Sequence, residues 1–240
     1  YMLCEKVGER DLPVVDTGGG FSPCMVMHRS QPFQVPDALS NDAALLLEPM
    51  ACAVHGVLKA PPAPGGRALV TGGGTIGLLT VAALRALYPD TPVWCLARYP
   101  FQAAVAEKLG AQPLMDGRDR YAWVARAAGA RHIRGHFGNE ILLGGFERVY
   151  DSVGNDATLT DALRFARAGG TVVLVGINFA PGKVDYSPVW CQEVNLVGIN
   201  CHATEADGRN SFEVAAQVLL AGAVDPADII THRFPVAEYK

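Results

Sequence analysis

Three glycines, Gly72, Gly74 and Gly77, stand between a short apolar run and a long apolar segment, in the spacing G-x-G-x-x-G. Between a strand and a helix, this spacing is typical of a dinucleotide-binding loop. The first glycine permits a sharp turn, the second lets a pyrophosphate approach the backbone, and the third allows close helix–strand packing. Free N–H groups at the helix start, from Thr75 and Ile76 onward, would bind phosphate. The alternative interpretation is a purely structural turn.

The segments around this loop alternate between strand and helix from residue 67 onward. Crossover helices between strands imply a parallel sheet, and strands that are apolar throughout indicate a sheet covered on both faces. The sequence therefore predicts an α/β, doubly wound dinucleotide-binding (Rossmann) fold. The predicted strands are Ala68–Thr71, Val93–Leu96, Gln112–Met115, Arg148–Ser152, Thr171–Val175 and Val194–Ile199, and the predicted helices are Ile76–Leu87, Phe101–Leu109, Ala122–Ala128, Leu159–Arg167 and Ser211–Leu220.

The segment before the loop is less regular. Val14–Val15 and Met25–Met27 are short strand candidates. A helix is predicted over Ala43–Leu47, with Ser40, Asn41 or Asp42 as its cap, and a second over Ala51–Leu58, with Pro49 allowing only a helix start or a kink. Gly110 and Gly169 are predicted as left-handed helix caps.

Composition narrows the class of protein. The 240 residues are half apolar and carry a formal net charge of −4, without a basic stripe, so we expect no nucleic-acid partner. No apolar run reaches the roughly 18–20 residues of a membrane span, and we expect no membrane association and no secretion signal. The six cysteines form no C-x-x-C pair, which predicts free thiols and a cytoplasmic location.

Two histidines, His132 and His136, lie four residues apart. This spacing would suit a metal only on a helix, and Gly135 and Gly138 argue against one. The segment 131–136 is therefore predicted to be a solvated loop.

Several stretches together resemble the medium-chain, zinc-type alcohol dehydrogenases, and within them the branch of sorbitol and threonine dehydrogenases. The resemblance runs nearly end to end. It is carried by Gly18–Phe21, Val35–Asp37, Leu45–Gly56 with its Glu-Pro pair, Val70–Gly77, Ala106–Ala111, Val149–Gly154, Gly169–Gly176 and Ile229–Pro235.

The family's pattern is incomplete at both ends. The resemblance implies that residues 1–50 are a remnant of a GroES-like, β-rich catalytic domain, that 51–210 form the NAD(P)-binding domain, and that 211–240 return toward the catalytic domain. Cys4 is placed like the last of four structural-zinc cysteines, but one thiolate cannot hold that ion. Glu48 corresponds to an acidic position at or near the catalytic zinc. Its alternative role is a carboxylate stabilised by a helix N-terminus, and His55 is expected to be a packed helix residue.

The resemblance also addresses the cofactor. The family's acidic residue that binds the ribose 2′-OH falls on Ala97, and Arg98 follows it. Loss of the acid and gain of a guanidinium favour NADP, although NAD stays possible. By the same resemblance the nicotinamide would lie against Ser152, Val153, Val175, Gly176 and Ile177, whereas Asp151 is expected to be structural.

The function expected from this resemblance is hydride transfer between NADP(H) or NAD(H) and an alcohol, a polyol or the corresponding carbonyl. Zinc would assist in the full-length protein. The strand Val194–Ile199 resembles a dimer-edge strand, so a homodimer or homotetramer is expected. Two alternatives stay open. One is a zinc-independent quinone or enone reductase of the same superfamily, and the other is a dinucleotide-binding module without turnover.

Overall fold

A six-stranded parallel sheet forms the centre of the molecule. The computed structural model describes residues 29, 32–136 and 139–238. Its strands are β1 (Ala68–Thr71), β2 (Val93–Ala97), β3 (Gln112–Met115), β4 (Arg131–Arg134), β5 (Glu140–Leu143), β6 (Phe146–Asp151), β7 (Ala166–Leu174) and β8 (Asn195–Gly198). The sheet order is β3-β2-β1-β6-β7-β8, with every neighbouring pair parallel. The predicted doubly wound sheet is confirmed.

Helices connect the strands and cover the sheet. They are α1 (Asn41–Leu45), α2 (Leu47–Lys59), α3 (Thr75–Leu87), α4 (Pro100–Lys108), α5 (Arg120–Ala128), α6 (Asp156–Phe165), α7 (Ser187–Cys191), α8 (Ser211–Leu220) and α9 (Pro226–Ile229), followed by a 3-10 turn at Val236–Glu238. Of the three predicted caps for α1, Ser40 is the one observed, since its hydroxyl accepts from Ala43 N at 3.2 Å. Pro49 lies in the first turn of α2, where its missing N–H costs no helical bond.

Two cores lie on opposite faces of the sheet. Consecutive side chains of β1 point to opposite faces, so Val70 packs in the core with α2, α3 and α8, and Leu69 packs in the core with α5 and α6. Tyr150 and Phe146 of β6 are likewise divided between the two cores and fully buried. A sheet covered on both sides explains why its central strands are apolar throughout.

The prediction of a solvated loop at 131–136 is wrong. Residues 131–134 form β4, which pairs antiparallel with β5 in a separate hairpin. Arg134 lies opposite Glu140 and reaches its carboxylate at 3.3 Å, and a ring nitrogen of His132, which lies opposite Leu142, contacts the same carboxylate diagonally. The His132 ring also stacks on Tyr121 of α5 at 5.7 Å. These cross-strand and ring contacts hold a polar segment in extended form.

The predicted end of α6 is also wrong. The helix stops at Phe165 rather than Arg167, and Gly169, with φ +67°, lies within β7 near its irregular register with β6 rather than at a helix cap. Gly110, with φ +87°, does follow α4 as predicted. Among the described residues, the two short helices that begin with proline near their N-termini, α7 and α9, had no predicted counterpart.

The packing of the helices does not mark the predicted domain boundaries. α8, which was assigned to the C-terminal segment, packs in the same core as α2 and α3, so the divisions at residues 50 and 210 stay predictions. Cys4 and the strand candidates at 14–15 and 25–27 lie outside the described residues. Within the described ranges, every helix is too short or too polar to cross a membrane.

Candidate functional site

Packing requires glycine at two positions of the loop after β1. Gly72 has φ +94°, and a Cβ built on it would lie 2.5 Å from Val153 Cγ2. A Cβ on Gly77 would lie 1.7 Å from the carbonyl oxygen of Gly72, a distance that backbone atoms cannot accept. The first turn of α3 therefore folds tightly onto the loop, as the motif predicts.

The glycine between them has a different environment. Gly74 is the N-cap of α3 with an ordinary φ of −78°, and a Cβ built on it would meet no atom within 4 Å. No side chain caps the helix there, and Gly74 and Thr75 are exposed. The first N–H groups of a 13-residue helix thus face open space, where an anion would satisfy them and interact with the helix dipole. Protein packing therefore does not require this glycine, and the space beside it is open to a ligand.

Asp151 organises the neighbouring strand end. Its buried carboxylate accepts from Val153 N at 3.1 Å, Gly154 N at 3.2 Å, Thr71 Oγ1 at 3.1 Å and Thr158 Oγ1 at 3.2 Å. Burial raises the pKa of this carboxyl group above its usual value, while the four donors act in the opposite direction. Asp151 therefore joins β1, β6 and α6 at the edge of the sheet, in the structural role expected for it.

Two clefts open at the carboxyl ends of the strands. One, which we call the Arg98 cleft, has a volume of about 290 Å³ and is bordered by Gly72, Arg98 and Val153. The other, the Glu48 cleft, has a volume of about 320 Å³. Both volumes suit parts of a small-molecule ligand. The glycine-containing loop at residues 72–77, called the phosphate loop below, lies at the boundary between the two clefts.

The Glu48 cleft brings together most of the residues predicted to contact the nicotinamide. Glu48 and Ile76 line it together with Ser152, Val175, Gly176 and Ile177. Ser152 Oγ is buried and lacks a hydrogen-bond partner among the described residues. Val153 is the exception, because it lines the Arg98 cleft. The chain bends at Ser152 and Val153 directly after β6, and the two residues line different clefts.

Glu48 lies in the first turn of α2, where a carboxylate also interacts favourably with the helix dipole. Its Oε1 accepts a hydrogen bond from Cys52 Sγ at 3.3 Å. Burial raises the pKa of the Cys52 thiol to about 12, and the Glu48 charge adds to the rise. Sequence reasoning missed Cys52 and Cys201, which line the same cleft; a cysteine four residues after Glu48 on one helix face was the available signal for Cys52.

Arg98 is exposed at the end of β2 and borders its cleft. Its guanidinium lies 5.6 Å from the ring centroid of Tyr99 and forms no ion pair with another described residue. Ala97 is fully buried, and a Cβ built on Gly73 would lie 3.2 Å from Ala97 Cβ. The only carboxylates along this cleft are those of Asp116 and Asp161 among the described residues, and Arg120 pairs with both, at 3.8 Å and 2.7 Å.

His55 points away from both clefts. It is 8% exposed, and its Nδ1 lies 3.1 Å from Glu205 Oε1. Glu205 also contacts the Ser211 hydroxyl at the start of α8. This pairing links α2 to α8, in agreement with the expected packing role.

The residues present do not form a zinc site by themselves. In the ranges that the structure describes, no three His, Cys, Asp or Glu side chains stand close enough to hold a metal ion. Glu48 and Cys52 are the nearest approach, and Cys4 lies outside the described residues. A catalytic zinc needs three protein ligands, and the described residues do not bring three together.

Comparison with known proteins identifies the family of this chain. The family model "Zinc-binding dehydrogenase" matches residues 75–220, more than half of the chain. The chain belongs to the zinc-binding dehydrogenase family. The predicted resemblance to zinc-type alcohol dehydrogenases is thereby confirmed.

Individual relatives agree with the family. L-idonate 5-dehydrogenase of Vitis vinifera is 28% identical over 99% of this chain and 61% of its own length. The crystal structure of 2R,3R-butanediol dehydrogenase from Bacillus subtilis superposes with a TM-score of 0.70 at 25% identity, over 88% of this chain and 56% of that one. A Sinorhizobium meliloti 1021 protein solved with NADP superposes with a TM-score of 0.65 at 28% identity, over 86% and 56%. The chain spans about three fifths of the length of the curated relatives it matches.

Proposed function

We propose that this chain binds NADP(H) and serves hydride transfer between the nicotinamide and a small alcohol, polyol or carbonyl compound. The observation that carries the proposal is the uncapped N-terminus of α3 beside Gly74, where open space faces free N–H groups. Family membership supports it, since the relatives named above are dehydrogenases of small alcohols and sugar acids.

The two clefts suit the two ends of the cofactor. Phosphates would bind the N–H groups of Thr75 and Ile76 at the start of α3. In the Arg98 cleft, the exposed Val153 side chain offers an apolar surface to the adenine. Arg98 would pair with a 2′-phosphate, as its guanidinium has no carboxylate partner among the described residues and Ala97 offers no charge to repel it.

The Glu48 cleft suits the nicotinamide. The cofactor supplies the redox chemistry by accepting or giving a hydride at its ring. Val175, Gly176 and Ile177 would pack beside the ring, and Ser152 Oγ, which lacks a partner among the described residues, is available to its carboxamide. The Glu48 carboxylate would accept a hydrogen bond from the hydroxyl group of the bound alcohol.

A zinc-independent reductase of the same superfamily is the second candidate. The observation that favours it is the lack of a three-ligand metal cluster among the described residues. Glu48 followed by Pro49 favours the zinc-type enzyme, since its resemblance is to the polyol branch. We further propose a homodimer or homotetramer in which β8, at the exposed edge of the sheet, contacts a second copy. The free cysteines support the proposal of a cytoplasmic protein.

A titration of the purified chain with NADPH and NADH, followed by nicotinamide fluorescence, tests the proposal. We expect saturable binding that prefers NADPH. The Arg126→Gln variant controls for the loss of one surface arginine and should bind both nucleotides like the unchanged chain. Arg126 is exposed on α5 and does not line the Arg98 cleft. Absence of binding of either nucleotide by a chain with a cooperative thermal transition would refute the proposal.

A further inference from the structure

Two cysteines from distant parts of the chain line the Glu48 cleft. Cys52 is on α2, and Cys201 follows β8 by three residues. Neither has a role in the dehydrogenase proposed above. We infer that Cys52 and Cys201 are a peroxide-sensitive thiol pair that closes to a disulfide across this cleft.

The helix and the strand bring the two residues toward each other. A Cβ built on Gly56 of α2 would lie 3.5 Å from Ile199 Cδ1, so the helix and the chain after β8 are in contact at that level. Cys52 lies on the same helix face four residues earlier, about 6 Å along the axis. Cys201 lies two residues beyond Ile199, about 6.6 Å further if the chain is extended. Both displacements run toward the carboxyl edge of the sheet, because α2 begins and β8 ends there.

Local structure around Cys201 presents its sulfur to the cleft. Cys201 is exposed and adopts φ +55°, which turns the chain after β8. Its Sγ donates to Asn200 Oδ1 at 3.2 Å, and both residues border the cleft. A peroxide in solvent therefore reaches the sulfur of Cys201 before that of the partly buried Cys52.

Cys52 is also held at the cleft. Its Sγ donates to the Glu48 carboxylate at 3.3 Å, and both side chains line the cleft that Cys201 borders.

The reaction has two steps. The sulfur of Cys201 attacks one oxygen of hydrogen peroxide and the O–O bond breaks; the departing hydroxide takes the Cys201 thiol proton, which gives a sulfenic acid and one water. The sulfur of Cys52 then attacks the sulfur of Cys201, whose S–O bond breaks; the departing hydroxide takes the Cys52 thiol proton and leaves as a second water. Two thiols and one peroxide thus give one disulfide and two waters, with two electrons passed to the peroxide.

Peptide mapping after peroxide treatment tests the inference. The reduced 240-residue chain is treated with hydrogen peroxide, its remaining thiols are alkylated, and its linked peptides are identified by mass spectrometry. We expect a Cys52–Cys201 link, with free thiols falling from six to four and recovering on addition of dithiothreitol. Cys191→Ser, which removes an exposed cysteine outside the cleft, should give the same link.

Two variants separate the two steps. In Cys52→Ser the reaction should stop at a sulfenic acid on Cys201 that dimedone traps. In Cys201→Ser, Cys52 should stay reduced after the same treatment.

Recovery of reduced, alkylatable Cys52 from the wild-type chain, with Cys201 oxidised to a sulfinic acid or linked elsewhere, would overturn the inference. The mapping needs no nucleotide. Failure of the chain to bind NADPH would therefore contradict only the proposed dehydrogenase function, and absence of the link would contradict only the thiol pair.

Discussion

Substitution of Gly74 and Gly77 by alanine should separate nucleotide binding from folding. The methyl group of Gly74→Ala enters space with no protein atom within 4 Å, at an ordinary φ of −78°. Removing a glycine stabilises through the unfolded chain by about 0.4–1 kcal/mol, and a poorer N-cap costs a similar amount. We therefore expect a change in unfolding free energy of less than about 1 kcal/mol. The methyl group blocks the path of a pyrophosphate, and one lost charge-assisted hydrogen bond of about 1.5–3 kcal/mol weakens NADPH binding at least about tenfold.

Gly77→Ala, unlike Gly74→Ala, should lower the stability of the fold. Its methyl group would meet Gly72 O at 1.7 Å and Gly72 C at 2.9 Å, both backbone atoms that cannot rotate away. Overpacking of this kind costs about 1–3 kcal/mol, which for a chain of this size corresponds to a fall in melting temperature of about 2–12 °C. Calorimetry and fluorescence titration on both variants give the comparison. Wild-type NADPH affinity in a stable Gly74→Ala chain would refute the assignment of the pyrophosphate to this loop.

Three further predictions concern the residues around the clefts. The double variant Ala97→Asp/Arg98→Gln should weaken NADPH binding about tenfold and favour NADH, measured by the same titration; unchanged preference would exclude Arg98 from 2′-phosphate binding. Asp151→Ala leaves buried donors unpaired and should lower the unfolding free energy in urea by about 3 kcal/mol, whereas Asp151→Asn keeps one acceptor oxygen for Val153 N, Gly154 N and Thr71 Oγ1 and should cost less. Because burial raises the pKa of Asp151, its charged form is the less favourable one in the fold. Any gain in unfolding free energy of Asp151→Asn over the unchanged chain should therefore be largest at pH 7 and shrink as the pH falls toward 3.8. A gain that grows in acid would contradict this. Tyr150→Phe removes a buried hydrogen bond of 2.8 Å to Ala60 O and should cost about 1 kcal/mol by the same urea assay; an unchanged midpoint would mean that the bond adds nothing.

The sheet and its phosphate loop could be predicted because their signals are local. β1, β3 and α8 have the predicted boundaries, since apolar runs, glycines and an Asn210 capping box mark them directly. The β4–β5 hairpin could not be predicted, because its polar side chains are joined by the contacts of Glu140 with His132 and Arg134 and by the stacking of His132 on Tyr121. Those partners lie elsewhere along the chain, and a polar run has no hydrophobic period to read.

The division of the site into two clefts could not be predicted from the sequence either. The resemblance predicts that Ser152 and Val153 both contact the nicotinamide. In the structure the chain bends at these two residues after β6, and they line different clefts, one beside α2 and the other beside α5. The neighbourhood of Cys52 and Cys201 likewise depends on contact between Gly56 and Ile199.

The pairing of β1 with β6 has a consequence for the order of folding. Thr71 and Asp151, which meet at the end of this pair, are 80 residues apart in the chain. Closing such a loop costs entropy before its contacts form, so central pairings of this range are slow. The phosphate loop takes its neighbours, Ser152 and Val153, from the later strand. During synthesis, a nascent chain that ends before β6 lacks the residues that pack against the phosphate loop. Nucleotide would therefore bind, and stabilise, only chains in which β1 and β6 have already paired.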